Sequence, residues 1–207
     1  MSAKVIGVGW AKTGTTTLGA CLTELGFDHV GLRLDLVDRL ESGDVDAVVE
    51  ELGRRDSCED WPWPLLYREI DERFPGSRFV LTTRPPEPWL RSYRNMVSGE
   101  APSARVRRRR TVIYGFDPAT ADDDELVTRV TDHNESVRRY FADRPGDLLE
   151  IDWSRGDGWP ELCGFLGLEE PGTPVPRANA GDYRPARWRR MRSRVRAAAR
   201  QALFPAR

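Results

Sequence analysis

No stretch of this sequence approaches the ~18 consecutive apolar residues that a membrane span needs, so no transmembrane helix is predicted. The opening "MSAKVIGVGW" carries one lysine and a brief apolar run before turning polar, which is not the pattern of a secretory leader. Cysteine is scarce. Cys21, Cys58 and Cys163 are odd in number, lie far apart and form no CxxC pair. Neither a zinc site nor a disulfide framework is expected, and a reducing cytoplasm is the simplest setting. A surplus of one charge is missing too: 32 basic and 33 acidic residues leave a net −1. With no helix-turn-helix or base-stacking motif beside it, that balance argues against a nucleic-acid partner.

What is present suits one soluble domain over residues 1–207, with 39% apolar and 31% charged residues. "KVIGVGW" (4–10), "SRFVLTTR" (77–84) and "DLLEIDW" (147–153) are short apolar runs that read as buried strands. Helical spacing follows each. Leu18, Cys21, Leu22 and Leu25 share one face and Gly26 closes that helix; Leu65, Leu66, Ile70 and Phe74 share another. "LDLVDRLESGDVDAVVEEL" reads as one or two helices, and "DELVTRVTDHNESVRRYFAD" as a long one with Leu126, Val130, Val137 and Phe141 inward. Residues 98–124 mix Gly, Pro, Arg and Asp without a period and predict a long mobile loop. Residues 184–207 predict a basic helix. Strand and helix in alternation predict an α/β fold, a mostly parallel central sheet with helices on both faces.

The charges are unevenly spread. "RVRRRR" (105–110) holds five arginines, and the segment 184–207 holds nine with no acid. Such runs are either solvated faces or a basic rim around a polyanion.

The stretch "GVGWAKTGTTTLGACLTELGF" (7–27) is a strand, a tight polar turn and a helix start. Unpaired N–H groups and the positive dipole end gather at such a start, so an anion can bind there. Gly14 lets backbone approach the anion, Thr13, Thr15, Thr16 and Thr17 offer hydroxyls, and Lys12 adds a full charge at the mouth. Walker A requires the lysine after the glycine, and the dinucleotide fingerprint requires glycine where Lys12 stands; both templates fail. What remains is a phosphate-holding loop without metal machinery. Asp152, at the end of "LLEID", is therefore expected to be structural rather than a magnesium ligand, and no metal site is predicted.

The order Lys-Thr-Gly-Thr-Thr after a first strand resembles the 5′-phosphosulfate loop of sulfotransferases that use 3′-phosphoadenosine-5′-phosphosulfate (PAPS). "RFVLTTRPPEPWLRSYRN" resembles the segment that holds the cofactor's 3′-phosphate in that family. "EDWPWPLLYREIDERFPGSRFVLTTR", "HNESVRRYFADRPGDLLEIDWSRGDGWPELCGFLGL" and "PVPRANAGDYR" are similar to its bacterial and fungal branch. The resemblance implies the sulfotransferase fold, PAPS as co-substrate, and sulfuryl transfer to a hydroxyl or amine of a small-molecule acceptor. It implies that Lys12 through Thr17 hold the phosphosulfate, with Lys12 stabilising the leaving oxygen. Arg84 would fork onto the 3′-phosphate and Ser92 would complete its shell. Trp89 is expected to pack beneath the helix.

For the general base, Asp60 matches the branch's Asp-x-Pro, although its position before "PWPLL" would equally suit a helix cap. His29, after the first helix, is the second candidate. His133 is expected to be structural. Trp61, Trp63, Tyr67 and Tyr114 are candidates to line an acceptor cleft, with the core as the favoured alternative for Trp61 and Trp63. A P-loop small-molecule kinase and a non-catalytic nucleotide-binding protein stand as alternatives, and a homo-oligomer is left open.

Overall fold

The structure, a computed structural model, describes residues 3–98 and 102–176. Five parallel strands form one sheet: β1 (Val5–Gly7), β2 (His29–Val30), β3 (Ser57–Cys58), β4 (Arg78–Thr82) and β5 (Leu148–Ile151), in the order β2-β3-β1-β4-β5. Central β1 sets Val5 opposite Ser57 on one side and Arg78 on the other. β2 and β3 are two residues each, too short for an apolar run to reveal, which is why the sequence pointed to three strands only.

Eight α-helices are described: α1 (Thr15–Glu24), α2 (Leu34–Glu41), α3 (Val45–Gly53), α4 (Tyr67–Arg73), α5 (Pro86–Val97), α6 (Ala104–Tyr114), α7 (Asp123–Tyr140) and α8 (Trp159–Leu166). Their ends follow local chemistry. α5 begins on Pro86, whose fixed φ suits a first helical residue. The Asp122 carboxylate accepts from the Glu125 amide at 2.8 Å to start α7; three acids fill its first turn and Arg138 and Arg139 its last, matching the dipole at both ends.

Side chains alternate along the strands, so the sheet buries both faces. Ile6, Phe79 and Leu81 pack with Val48, Leu52, Ile70, Val137 and Phe141. On the other face Val5, Val80 and Ile151 pack with Leu18 and Leu22 of α1 and Leu162 and Leu166 of α8. A third cluster of Trp10, Trp61, Trp89, Tyr93, Ile113 and Tyr114 lies past the carboxyl end of β1. All four aromatic candidates for an acceptor cleft are buried, Tyr67 and Tyr114 as well as Trp61 and Trp63, and they pack in the core.

One expectation is corrected. Within 98–124, residues 104–114 form α6 rather than a loop, started by the Ser103 hydroxyl and closed by Gly115 in the left-handed region. Its arginines obscure the apolar period because they pair across a seam. Arg105 and Arg109 both reach Asp38 of α2, Arg108 reaches Glu41 at 2.6 Å, and Arg107 reaches Asp117 at 3.0 Å. Three of the five arginines thus pair with acids of α2 across a largely solvent-facing seam. The basic segment 184–207 lies outside the described residues.

Candidate active site

In an open parallel sheet, ligands bind beyond the carboxyl ends of the strands where the order reverses, here between β1 and β4. The turn after β1 and the segment after β4 meet at that point. Arg84 Nη1 donates to the Lys12 carbonyl oxygen at 3.3 Å. The two segments singled out by sequence therefore share one end of the sheet.

The turn is built so that its oxygens are engaged elsewhere. The Val8 carbonyl accepts from His133 Nε2 of α7 at 2.7 Å, and the Trp10 carbonyl from the Thr13 hydroxyl at 2.6 Å. The Ala11 carbonyl accepts from Trp89 Nε1 of α5 at 2.9 Å, and the Lys12 carbonyl from Arg84. With these carbonyls tied down, the amide dipoles at the start of α1 are left for an anion. Gly14 precedes α1 at φ 101°, a left-handed conformation that glycine adopts without penalty. Gly9 answers a different need: a Cβ there would stand 2.0 Å from the Thr82 hydroxyl of β4.

Each predicted residue has a definite place. Lys12 is half-buried in the turn, Thr15, Thr16 and Thr17 form the first turn of α1, and Arg84 is half-buried just past β4. Thr13 is buried, and its hydroxyl also meets Thr82 Oγ1 at 2.6 Å, so it braces the turn from within. Ser92 is half-buried two turns into α5. Trp89 lies beneath α5, 1% exposed, as expected. Asp152 caps the turn after β5 through Ser154, whose amide and hydroxyl donate to Oδ1 at 2.9 and 2.6 Å. His133 is structural. Burial lowers its proton affinity to a pKa of about 4, so it is neutral and its Nε2–H faces the Val8 carbonyl.

Asp60 follows β3 at the same sheet end. It caps no helix; Oδ1 accepts from the Trp61 amide at 2.8 Å. Burial first, then the Glu59 charge, pushes its carboxyl up to about 7, while the Trp61 amide and Lys12 pull the other way. Among the described residues, Lys12 (φ 74°) and Asp60 (φ 63°) are the non-glycine residues with positive φ. Strained backbone of this kind concentrates at functional sites. His29 is not a surface residue: it sits in β2 with Nδ1 against the Ser57 hydroxyl at 2.9 Å, and its side chain is 10% exposed.

Two residues escaped sequence reasoning. Glu59, the residue before Asp60, is buried, and only the doubled acid in "EDWPW" hinted at it. Asn134, on α7, lines a cleft of about 270 Å³ beyond β4 and β5 together with Thr83, Arg84, Trp89, Glu150 and Arg155. Its Oδ1 is buried without a hydrogen-bond partner. Among the described residues no group of three or more His, Cys, Asp or Glu is placed to hold a metal, and no helix is long and apolar enough to cross a membrane.

The chain is similar to Ava biosynthesis cluster protein M of Aspergillus versicolor, 27% identical over 237 aligned positions that cover 93% of this chain and 88% of that protein. A profile described as a sulfotransferase domain matches residues 4–183, from the first strand to beyond α8. The chain belongs to the sulfotransferase domain family.

Proposed function

We propose that this protein transfers a sulfuryl group from PAPS to a hydroxyl or amine of a small-molecule acceptor. The observation that carries the reading is the contact of Arg84 Nη1 with the Lys12 carbonyl, which sets two anion-binding segments side by side at one sheet end. A nucleotide with phosphates at both its 3′ and 5′ positions needs two such segments. The residues fit it: an amide-lined turn with Lys12 for the phosphosulfate, and Arg84 with Ser92 for the 3′-phosphate.

When bound, PAPS supplies a sulfur whose bond to the bridging oxygen breaks, with the electron pair leaving on the 5′-phosphate of adenosine 3′,5′-bisphosphate. Lys12 and the first amides of α1 stabilise that leaving charge. Asp60 takes the proton of the attacking hydroxyl or amine; its raised proton affinity suits a base working near neutral pH. His29, with Nδ1 engaged by Ser57, is the weaker candidate for that role.

Titration calorimetry with adenosine 3′,5′-bisphosphate tests the reading. Binding that is independent of magnesium, with weaker binding of ATP, is expected. No heat with the bisphosphate, or ATP binding that requires magnesium, would overturn it in favour of a kinase. Binding without transfer across a wide acceptor panel with labelled PAPS would leave a non-catalytic nucleotide binder.

A further inference from the structure

An indole N–H is a donor only, and once buried it needs an acceptor. Three tryptophans of this fold find theirs in the backbone. Trp63 Nε1 donates to the Gly31 carbonyl at 3.0 Å, Trp89 Nε1 to Ala11 at 2.9 Å and Trp159 Nε1 to Thr173 at 2.7 Å. Trp10 and Trp153 have buried Nε1 atoms without a hydrogen-bond partner among the described residues. Trp10 is sealed in the third cluster, edge-on to Trp61 and Tyr114 and 0% exposed. Trp153 is only half-buried and stands at the ligand end of the sheet, two residues past β5.

The Trp153 ring is set against the anion turn. β5 is the outer strand, separated from β1 by β4. Yet a Cβ on Gly14 would stand 2.3 Å from Trp153 Cδ1 and 2.8 Å from Nε1. The five-membered edge of the indole, which carries the N–H, therefore rests on Gly14 where α1 begins. Only glycine leaves that room, a second demand on this position beside its φ of 101°. The backbone under the ring is braced: the Asp152 amide donates to Asp157 Oδ2 at 2.7 Å, and Asp152 Oδ1 accepts from the Ser154 amide and hydroxyl. The ring also packs on the cluster of α1 and α8, a role an aromatic hydrocarbon could fill. The N–H is what packing does not explain. The neighbouring carbonyls are committed elsewhere: those of Val8, Trp10, Ala11 and Lys12 to the four donors named above, and that of Gly14 to the Leu18 amide at 3.1 Å.

We propose that Trp153 Nε1 donates a hydrogen bond to an oxygen of the anion held in this turn, so that the segment after β5 contributes to the site as well as those after β1 and β4. The inference rests on the reading that the turn holds the phosphosulfate end of PAPS. The contact differs in kind from its neighbours. Lys12 brings a full charge and α1 a dipole, and both act over a distance. The indole adds a neutral, directional donor that neither titrates nor accepts. A donor facing a charged oxygen makes a shorter and stronger bond than one facing a neutral oxygen. In a seam closed to bulk water that bond is not diluted by competing solvent. The ligand thereby supplies the acceptor that the fold withholds.

Full-length protein carrying nitrogen-15 in its indole rings reads this contact by NMR. The Trp153 signal is assigned by its absence in Trp153→Phe, or by Overhauser contacts with the Gly14 α protons should that variant fail to fold. Saturating adenosine 3′,5′-bisphosphate should move the Trp153 N–H proton downfield, whereas adenosine 3′-phosphate, which lacks the 5′ group, should leave it in place. In calorimetry Trp153→Phe should bind the bisphosphate about tenfold more weakly or worse, the loss of one hydrogen bond to a charged group. Its affinity for adenosine 3′-phosphate should match the parent's, which general damage to the fold would not allow. An indole signal unmoved at saturation, or parent affinity for the bisphosphate in Trp153→Phe, overturns the proposal and leaves the sulfotransfer reading standing. Absence of bisphosphate binding in the parent protein would sink that reading and this inference together.

Discussion

In the proposed reaction, Lys12 carries the heaviest chemical load of any single residue. Loss of one preorganised donor to a developing oxyanion typically costs ~2.7–4 kcal/mol of barrier. Lys12→Ala should therefore slow transfer at saturating PAPS by at least ~100-fold. Unaltered turnover would remove it from the site. Trp89→Phe keeps an aromatic ring, though a smaller one, and strips the donor from the Ala11 carbonyl. Leaving that buried oxygen unpaired should cost about 1–3 kcal/mol in urea melts and weaken bisphosphate binding in calorimetry. Two perturbed groups also give the protein opposing responses to pH. His133, lowered to about 4 from 6.5, makes the folded state lose stability as pH falls through that interval. Asp60, raised to about 7 from 3.8, makes it lose stability as pH rises through its own. At most, His133 is worth on the order of 3 kcal/mol and Asp60 on the order of 4. Between pH 4 and 6.5 the slopes partly cancel, so Asp60→Asn should expose a steady gain of stability with pH across that range in denaturant melts. Lys12 and Arg84 were legible in the sequence because a turn, a helix start and their order define their surroundings. Glu59 was not, because nothing in a string of residues shows that a carboxylate has lost its water. His29 was legible only as a histidine; its burial against Ser57 depends on a strand pairing between segments 28 residues apart.

At the scale of elements, the seam between α2 and α6 is electrostatic. Asp38 receives two guanidinium groups, which hold its carboxyl well below the usual range. The pairs are mostly solvent-facing, so salt should screen them. Hydrogen exchange in residues 104–114 should quicken at high salt in the parent chain. Asp38→Asn should quicken it at low salt and remove most of the salt dependence; equal exchange in both would show that apolar contacts alone hold the helix. This helix is where the sequence misled most. An aperiodic, arginine-dense segment resembles a loop when each helix is judged alone, and the acids that complete it lie about 70 residues earlier in α2. The long amphipathic α7, by contrast, was legible almost to its ends, because its apolar period, acidic start and basic finish all agree.

For the whole molecule, alternating strands and helices were enough to infer a parallel sheet covered on both faces, but not its strand order. That order depends on β2 and β3, each recognisable only through its neighbours' hydrogen bonds. It is the order that brings the turn after β1 beside the segment after β4, and the single end of the sheet then carries Lys12, Asp60 and Arg84 together. A ligand spanning those loops should stabilise the fold as a unit. At a hundredfold excess over its Kd, adenosine 3′,5′-bisphosphate should add about 2.7 kcal/mol, seen as a raised melting temperature. Arg84→Ala should abolish most of that rise, while a rise of undiminished size would place the nucleotide elsewhere.

The four clamped carbonyls of the anion turn carry one more implication. His133, Thr13, Trp89 and Arg84 hold Val8 through Lys12 in shape before any guest arrives. The pocket behaves as a finished mould rather than clay, and little chain freedom is surrendered when it fills. Product departure should then be governed by the strength of the grip itself, with no slow reopening of the turn to wait for.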